Sequence, residues 1–112
     1  MGTVQHISPD KKYNYDFELI MRDYDKTIEL APEFEYAWFN KANLLCSQKD
    51  FRSAIKHYSK AIEINPEFAE AYFNRGLTRI YTGDTKDGFA DLSKAGELGI
   101  YQSYNLLKRL KK

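Results

Sequence analysis

The sequence predicts an all-α fold, an α-solenoid of stacked helix-turn-helix units, and three observations predict it. The phrase "AWFNKA" that begins at Ala37 returns as "AYFNRG" at Ala71, and the match widens until "PEFEYAWFN" from Pro32 lies over "PEFAEAYFN" from Pro66, 34 residues on. A fixed period of this length marks a repeat architecture in which each repeat is one supersecondary unit. Asp16, Asp50 and Asp84 keep the same period, and each precedes a run whose apolar residues recur at steps of three and four, the pattern of one buried helix face. Pro32, Pro66 and Gly99 stand where those runs stop, residues that cannot continue a helix or commonly end one.

In chain order, residues 1–14 are expected to be irregular, because Pro9 interrupts them and "SPDKKYN" has the composition of a turn. A half repeat follows over 15–31, one helix near Asp16 to Leu30 with the stripe Phe17, Ile20, Met21, Tyr24, Thr27 and Ile28. The repeat over 35–68 pairs a helix starting near Glu35 with a second one after Asp50, whose stripe is Phe51, Ala54, Ile55, Tyr58, Ala61 and Ile62. The repeat over 69–102 pairs a helix from Ala69 with one after Asp84, striped by Thr85, Gly88, Phe89, Leu92, Ala95 and Gly96. Each of the three aspartates is expected to cap the first turn that follows it. Residues 103–112 form a capping helix that turns Leu106 and Leu110 to the last pair, with Lys111 and Lys112 at the negative end of its dipole. No helix covers its stripe alone, so the units must stack. Ala42, Ala54, Ala61, Gly76 and Ala95 let backbones approach around the bulk of Trp38, Tyr58 and Tyr72.

Composition narrows the function. A chain of 112 residues is one domain. Seventeen basic residues against sixteen acidic ones leave a net charge of +1, so no overall field calls for nucleic acid or an anionic membrane surface. The apolar runs fall far short of the roughly 20 residues that span a bilayer, and no membrane insertion is expected. Cys46 is the only cysteine, which excludes an internal disulfide, and His6, His57 and scattered carboxylates have no metal-ligand spacing. No metal and no cofactor is expected. The nucleophile elbow, the zinc-protease motif and the glycine-rich phosphate loop are all missing from the sequence, so no catalytic residue is assigned and the chain is expected to be non-enzymatic. His57 is expected to be a solvated helix residue and Cys46 a small apolar filler.

The unit from Glu35 to Phe68 resembles a tetratricopeptide repeat. Trp38, Ala42, Leu45, Ala54, Tyr58, Ala61 and Pro66 meet that family's pattern, with Lys41 in place of the usual leucine. The next unit fits at Tyr72, Gly76, Leu92 and Ala95 and departs at Arg75, Arg79, Gly88 and Ile100. The resemblance covers about residues 15–112. It implies a right-handed superhelix whose concave surface, lined by the first helix of each unit, holds an extended peptide or a partner helix. Carried onto this chain, the lining is Tyr36, Phe39, Asn40, Asn43 and Ser47, then Glu70, Phe73, Asn74, Leu77 and Tyr81, then Tyr104 and Leu107. By helical geometry Tyr36, Phe39, Asn43 and Cys46 lie at least a third of a turn from the packed side of Trp38, Ala42 and Leu45.

That lining is aromatic and amide in character, suited to the backbone of a protein or peptide partner. The family's grip on a terminal carboxylate, made by Lys, Arg and Asn, is incomplete. Phe39 and Phe73 stand where a lysine would be, Asn74 is no arginine, and Glu70 adds a negative charge. Lys41, Arg75 and Arg109 form a basic ladder at the margin of the packed face, expected to lie along apolar surface with their heads in water. The alternative to a peptide-binding module is a structural segment of a longer array that self-associates through residues 16–30. Val4, Ile7, Tyr13 and Tyr15 folded back over Phe17, Ile20 and Tyr24 would cap that helix; otherwise an apolar face is left to associate.

Overall fold

The computed structural model describes residues 9–112, with side chains from Asp16 onward. Six helices and no strand are found among them: α1 (Pro9–Leu30), α2 (Glu35–Ser47), α3 (Phe51–Ile64), α4 (Ala69–Tyr81), α5 (Thr85–Glu97) and α6 (Gln102–Leu110). Each helix packs on the next in chain order, and α2 also touches α4. This is a stacked row of antiparallel pairs, α2 with α3 and α4 with α5, flanked by α1 and α6.

The start of α1 corrects the reading of the N-terminus. Residues 9–14, expected to be irregular, are helical. Proline in a first turn loses no hydrogen bond and already has a helical φ, so Pro9 opens the helix that it would break further in. Asp16 therefore lies inside α1 and caps nothing. Residues 1–8 and the side chains of Tyr13 and Tyr15, on which the capping alternative depended, lie outside what is described. Of the other two predicted caps, Asp50 accepts from the Ser53 N–H at 3.5 Å. Asp84 makes no cap bond and faces the Arg79 guanidinium at 3.9 Å.

Two kinds of turn separate the helices. Within each pair the chain reverses through a left-handed residue, Lys49 (φ 63°) or Gly83 (φ 99°). The following N–H then reaches back five residues, Asp50 to the Leu45 carbonyl at 2.9 Å and Asp84 to that of Arg79 at 2.8 Å, which closes the helix end. Between α1 and α2, and between α3 and α4, the link is instead a Pro-Glu-Phe turn. The Trp38 indole N–H donates to the Pro32 carbonyl at 2.8 Å, and the Asn65 side chain accepts from the Glu67 N–H at 3.1 Å.

The core runs between the pairs. Ala42, Leu45, Ala54 and Tyr58 are buried together with Met21, Phe39 and Cys46 against them, and Ala61, Phe68 and Ala71 form a second group with Trp38, Phe39 and Ile62. At α4 and α5 the contact is backbone on backbone. A Cβ at Gly88 would lie 2.8 Å from the Gly76 carbonyl oxygen, and one at Gly76 would lie 2.9 Å from that of Gly88.

That approach explains the second repeat's departures from the family pattern. Asp91 on α5 is 5% exposed. Its carboxylate accepts from Arg75 Nε and Nη2 and from Arg79 Nη1, all at 2.8 Å, while Arg75 Nη1 donates to Ser59 at 2.9 Å. One buried carboxylate thus serves two guanidiniums, with Asp84 3.9 Å from Arg79 as the second acid, so each of these charges has a partner, as a buried charge requires. Of the basic ladder expected to hold its heads in water, Arg75 is half-buried on Asp91 and Lys41 is paired with Asp25 at 2.5 Å. Only Arg109 is exposed.

The capping helix is displaced by one residue from the 34-residue frame. Gly99 (φ 117°) ends α5 with Ile100 N–H bonded to the Ala95 carbonyl at 2.9 Å, so the helix stops at Glu97 and α6 starts at Gln102. Ser103 and Leu107, not Leu106 and Leu110, become its buried face; Leu106 is half-buried and Leu110 exposed.

Candidate functional site

The predicted lining divides once the side chains are placed. Tyr36 is exposed and stacks on Phe34 and Phe68 with ring centroids 5.9 and 5.1 Å apart. Phe39 is half-buried, and its ring meets Phe68 at 4.7 Å and Tyr58 at 5.9 Å, so it packs into the core more than it faces outward. Asn40, Asn43, Phe73 and Asn74 are half-buried, whereas Glu70 and Leu77 are exposed. Ser47 is exposed and donates to the Leu44 carbonyl at 2.6 Å. Tyr81 is exposed at the far end of α4, edge-on to Phe51 at 4.9 Å. Tyr104 lies over Gly96, which has no side chain to obstruct the ring. Leu107 is buried, and this corrects its place in the lining: like Phe39, its counterpart in the 34-residue frame, it turns toward the packed side.

What the fold brings together is a polar seam between α2 and α4. Asn74 Nδ2 donates to Asn43 Oδ1 at 2.9 Å, and the Tyr58 hydroxyl, rising from α3, donates to the same oxygen. One turn along, Cys46 Sγ is 3.4 Å from Thr78 Oγ1 and 3.7 Å from the Tyr58 hydroxyl. Thr78 also donates to the Asn74 carbonyl at 2.7 Å. Burial holds the Tyr58 phenol well above its ordinary pKa, with a further rise from Cys46 and a partial offset from the Asn74 amide. The phenol stays neutral, and its proton orders Asn43.

This ordering leaves specific groups free. The Asn43 amide N–H2 and the Asn74 amide oxygen have no partner among the described residues, one a donor and one an acceptor on adjacent helices. A peptide unit in a ligand backbone needs that complement. Sequence reasoning named both asparagines and missed Tyr58, Cys46 and Thr78, which support them. The signal for Thr78 was present, four residues after Asn74 on the same face. His57 also differs from expectation, being half-buried with Nδ1 at 2.8 Å from the Ser53 carbonyl and its ring 5.6 Å from that of Trp38. Among the described residues no group of His, Cys, Asp and Glu could hold a metal ion, and no helix is long and apolar enough to cross a membrane.

Residues 42–79 match the family described as TPR repeat. No curated protein sequence matches the chain. Among solved structures, the first TPR of Spaghetti (RPAP3), bound to the HSP90 peptide SRMEEVD, superposes with a TM-score of 0.79 at 19% identity, over 91% of this chain and 82% of that one. The N-terminal domain of stress-induced protein-1 (STI-1) from C. elegans gives a TM-score of 0.81 at 23% identity, over 95% of this chain and 90% of that one. With its 34-residue period and its paired antiparallel helices, the chain has the fold of these TPR domains, and its segment 42–79 matches the TPR repeat family.

Proposed function

We propose that this chain is a non-enzymatic protein-interaction module that holds an extended peptide, or a helix of a partner protein, in the groove along α2 and α4. The observation that carries the reading is the Asn43–Asn74 pair, which offers an unpaired amide donor beside an unpaired amide acceptor. The Tyr36, Phe73 and Leu77 side chains flank that pair in sequence and supply apolar contact at low entropy cost. The RPAP3 domain, which binds an HSP90 peptide, shares the fold and so supports a peptide as ligand class.

The basic residues of this chain argue against recognition of a terminal carboxylate. Lys41 is held by Asp25, and Arg75 and Arg79 are held by Asp91, so none of these charges is directed at a ligand. A labelled SRMEEVD peptide should therefore bind no better as the free acid than as its C-terminal amide. For the groove itself, Phe73→Ala with Asn74→Ala should keep the helical circular dichroism of the parent and lose the peptides that the parent captures from an array. An array pattern unchanged in that folded variant would count against the groove.

A further inference from the structure

The two Pro-Glu-Phe turns lie on one edge of the molecule and leave apolar side chains uncovered there. Leu30, Phe34 and Tyr36 are 73%, 46% and 51% exposed. The turns are tied together: Tyr36 stacks on Phe68, and Asn65 Nδ2 donates to Glu35 Oε2 at 3.3 Å. Five rings consequently run in series, Phe34, Tyr36, Phe68, Phe39 and Tyr58, from solvent into the core. Exposed rings anchored in this way form a rigid contact surface, since their neighbours fix the rotamers that a ligand would otherwise have to order.

Charge decides what fits. The segments 28–36 and 62–71 contain six glutamates and neither a lysine nor an arginine. Glu29 and Glu63 are engaged by Lys26 and Lys60 from the preceding turn of their own helices, at 3.7 and 3.2 Å. Glu33, Glu67 and Glu70 are exposed and have no ion pair among the described residues. Aromatic faces bordered by unpaired carboxylates suit a cation on an apolar stem, which can lie over a ring while its charge meets the acids.

We propose that this edge docks a Lys- or Arg-bearing segment of a partner protein, as the basic end of the peptide held in the groove. The inference rests on the groove reading, because Tyr36 and Glu70 belong to both surfaces. An acidic segment is excluded by repulsion from Glu33, Glu67 and Glu70, which sets the charge of the ligand and not only its shape.

Fluorescence anisotropy tests this with two labelled peptides of equal length built on Gly, Leu and Phe, one carrying lysines and the other glutamates at the same positions. The lysine peptide should bind and weaken as salt is raised, and the glutamate peptide should not bind. The triple variant Glu33→Gln, Glu67→Gln, Glu70→Gln, all at exposed positions, should weaken the lysine peptide about tenfold and flatten its salt dependence. Equal binding of the two peptides, no binding of either, or a triple variant indistinguishable from the parent overturns the proposal. Homodimerisation lost in the triple variant also overturns it, by assigning the edge to a second copy. Phe73→Ala with Asn74→Ala separates the two readings. Loss there with no effect of the triple variant keeps the groove and removes the basic segment, whereas the reverse keeps the acidic edge and removes the groove.

Discussion

The Tyr58 hydroxyl is the group on which the seam between α2 and α4 is organised. Its neutral form is favoured by burial and by the nearby Cys46, and the proton it retains is donated to Asn43. The sign of the linkage follows. With the folded pKa raised above the ordinary value near 10, the unfolded chain releases a proton at high pH that the folded chain keeps. This contribution to stability is complete below about pH 10 and is lost above it, at about 1.4 kcal/mol per pH unit. Tyr58→Phe should cost about 1 kcal/mol at neutral pH, for one hydrogen bond, and should show a shallower alkaline decline than the parent. Urea melts of both proteins between about pH 8 and pH 11 supply the comparison. Parallel declines would mean that Tyr58 ionises without hindrance in the folded state. Asn43, in turn, was legible as a candidate because the resemblance carries a ligand-facing lining onto the second face of its helix. Its direction was not legible, because the groups that orient it come from α3 and α4, 15 and 31 residues away.

At the scale of elements, α4 and α5 meet backbone on backbone, and that contact depends on two glycines. Gly88 occupies a position where the family uses alanine, and by helix propensity alone Gly88→Ala should stabilise α5 by about 1 kcal/mol. The new Cβ, however, would sit 2.6 Å from Ile80 Cγ1 and 2.8 Å from the Gly76 carbonyl oxygen. The backbone oxygen cannot rotate away, and overpacking of this kind costs about 1–3 kcal/mol. The melting temperature should therefore fall, by up to about 10 °C for a net loss of up to about 2 kcal/mol; a higher value would show that the helices separate freely. The same crossing shows how far the sequence could be read. Apolar periodicity located α3, α5 and most of α1, with Pro32, Pro66 and Gly99 marking their ends, and the 34-residue repeat located α2 and α4. It could not show that Arg75 and Arg79 converge on Asp91, since a pair 12 or 16 residues apart is joined only by the crossing geometry. The errors in helix bounds and buried face lay at the two ends, where the period has no further unit to enforce it. Pro9 opens a helix because it falls in a first turn, and α6, which follows a glycine turn at Gly99 where the earlier units have Pro-Glu-Phe, buries Ser103 and Leu107.

The whole molecule is elongated, 52 × 36 × 21 Å with a radius of gyration of 16.5 Å, against about 13 Å for a compact domain of this length. Among the described residues α1 packs on α2 alone, which raises the question of self-association. Leu19 and Ile20 are partly exposed on α1, and Ile20, expected in the buried stripe, is instead on the outer side, while Phe17, Met21, Tyr24 and Ile28 are half-buried. On magnitude, no stable dimer through residues 16–30 is expected. A lasting interface buries about 800 Å² on each partner around an apolar centre, and the exposed aliphatic side chains of residues 16–30 are three, Leu19 and Ile20 bordered by the exposed charges of Glu18, Arg22 and Asp23, and Leu30 at the far end of the helix. Light scattering at micromolar and higher concentration should therefore give the mass of one chain, and Leu19→Lys with Ile20→Lys should leave that mass unchanged. A dimer in the parent that becomes monomeric in the double variant would move the function from ligand binding to assembly. α1 would then be the contact face of a longer stack, and the amide seam between α2 and α4 would serve the scaffold alone.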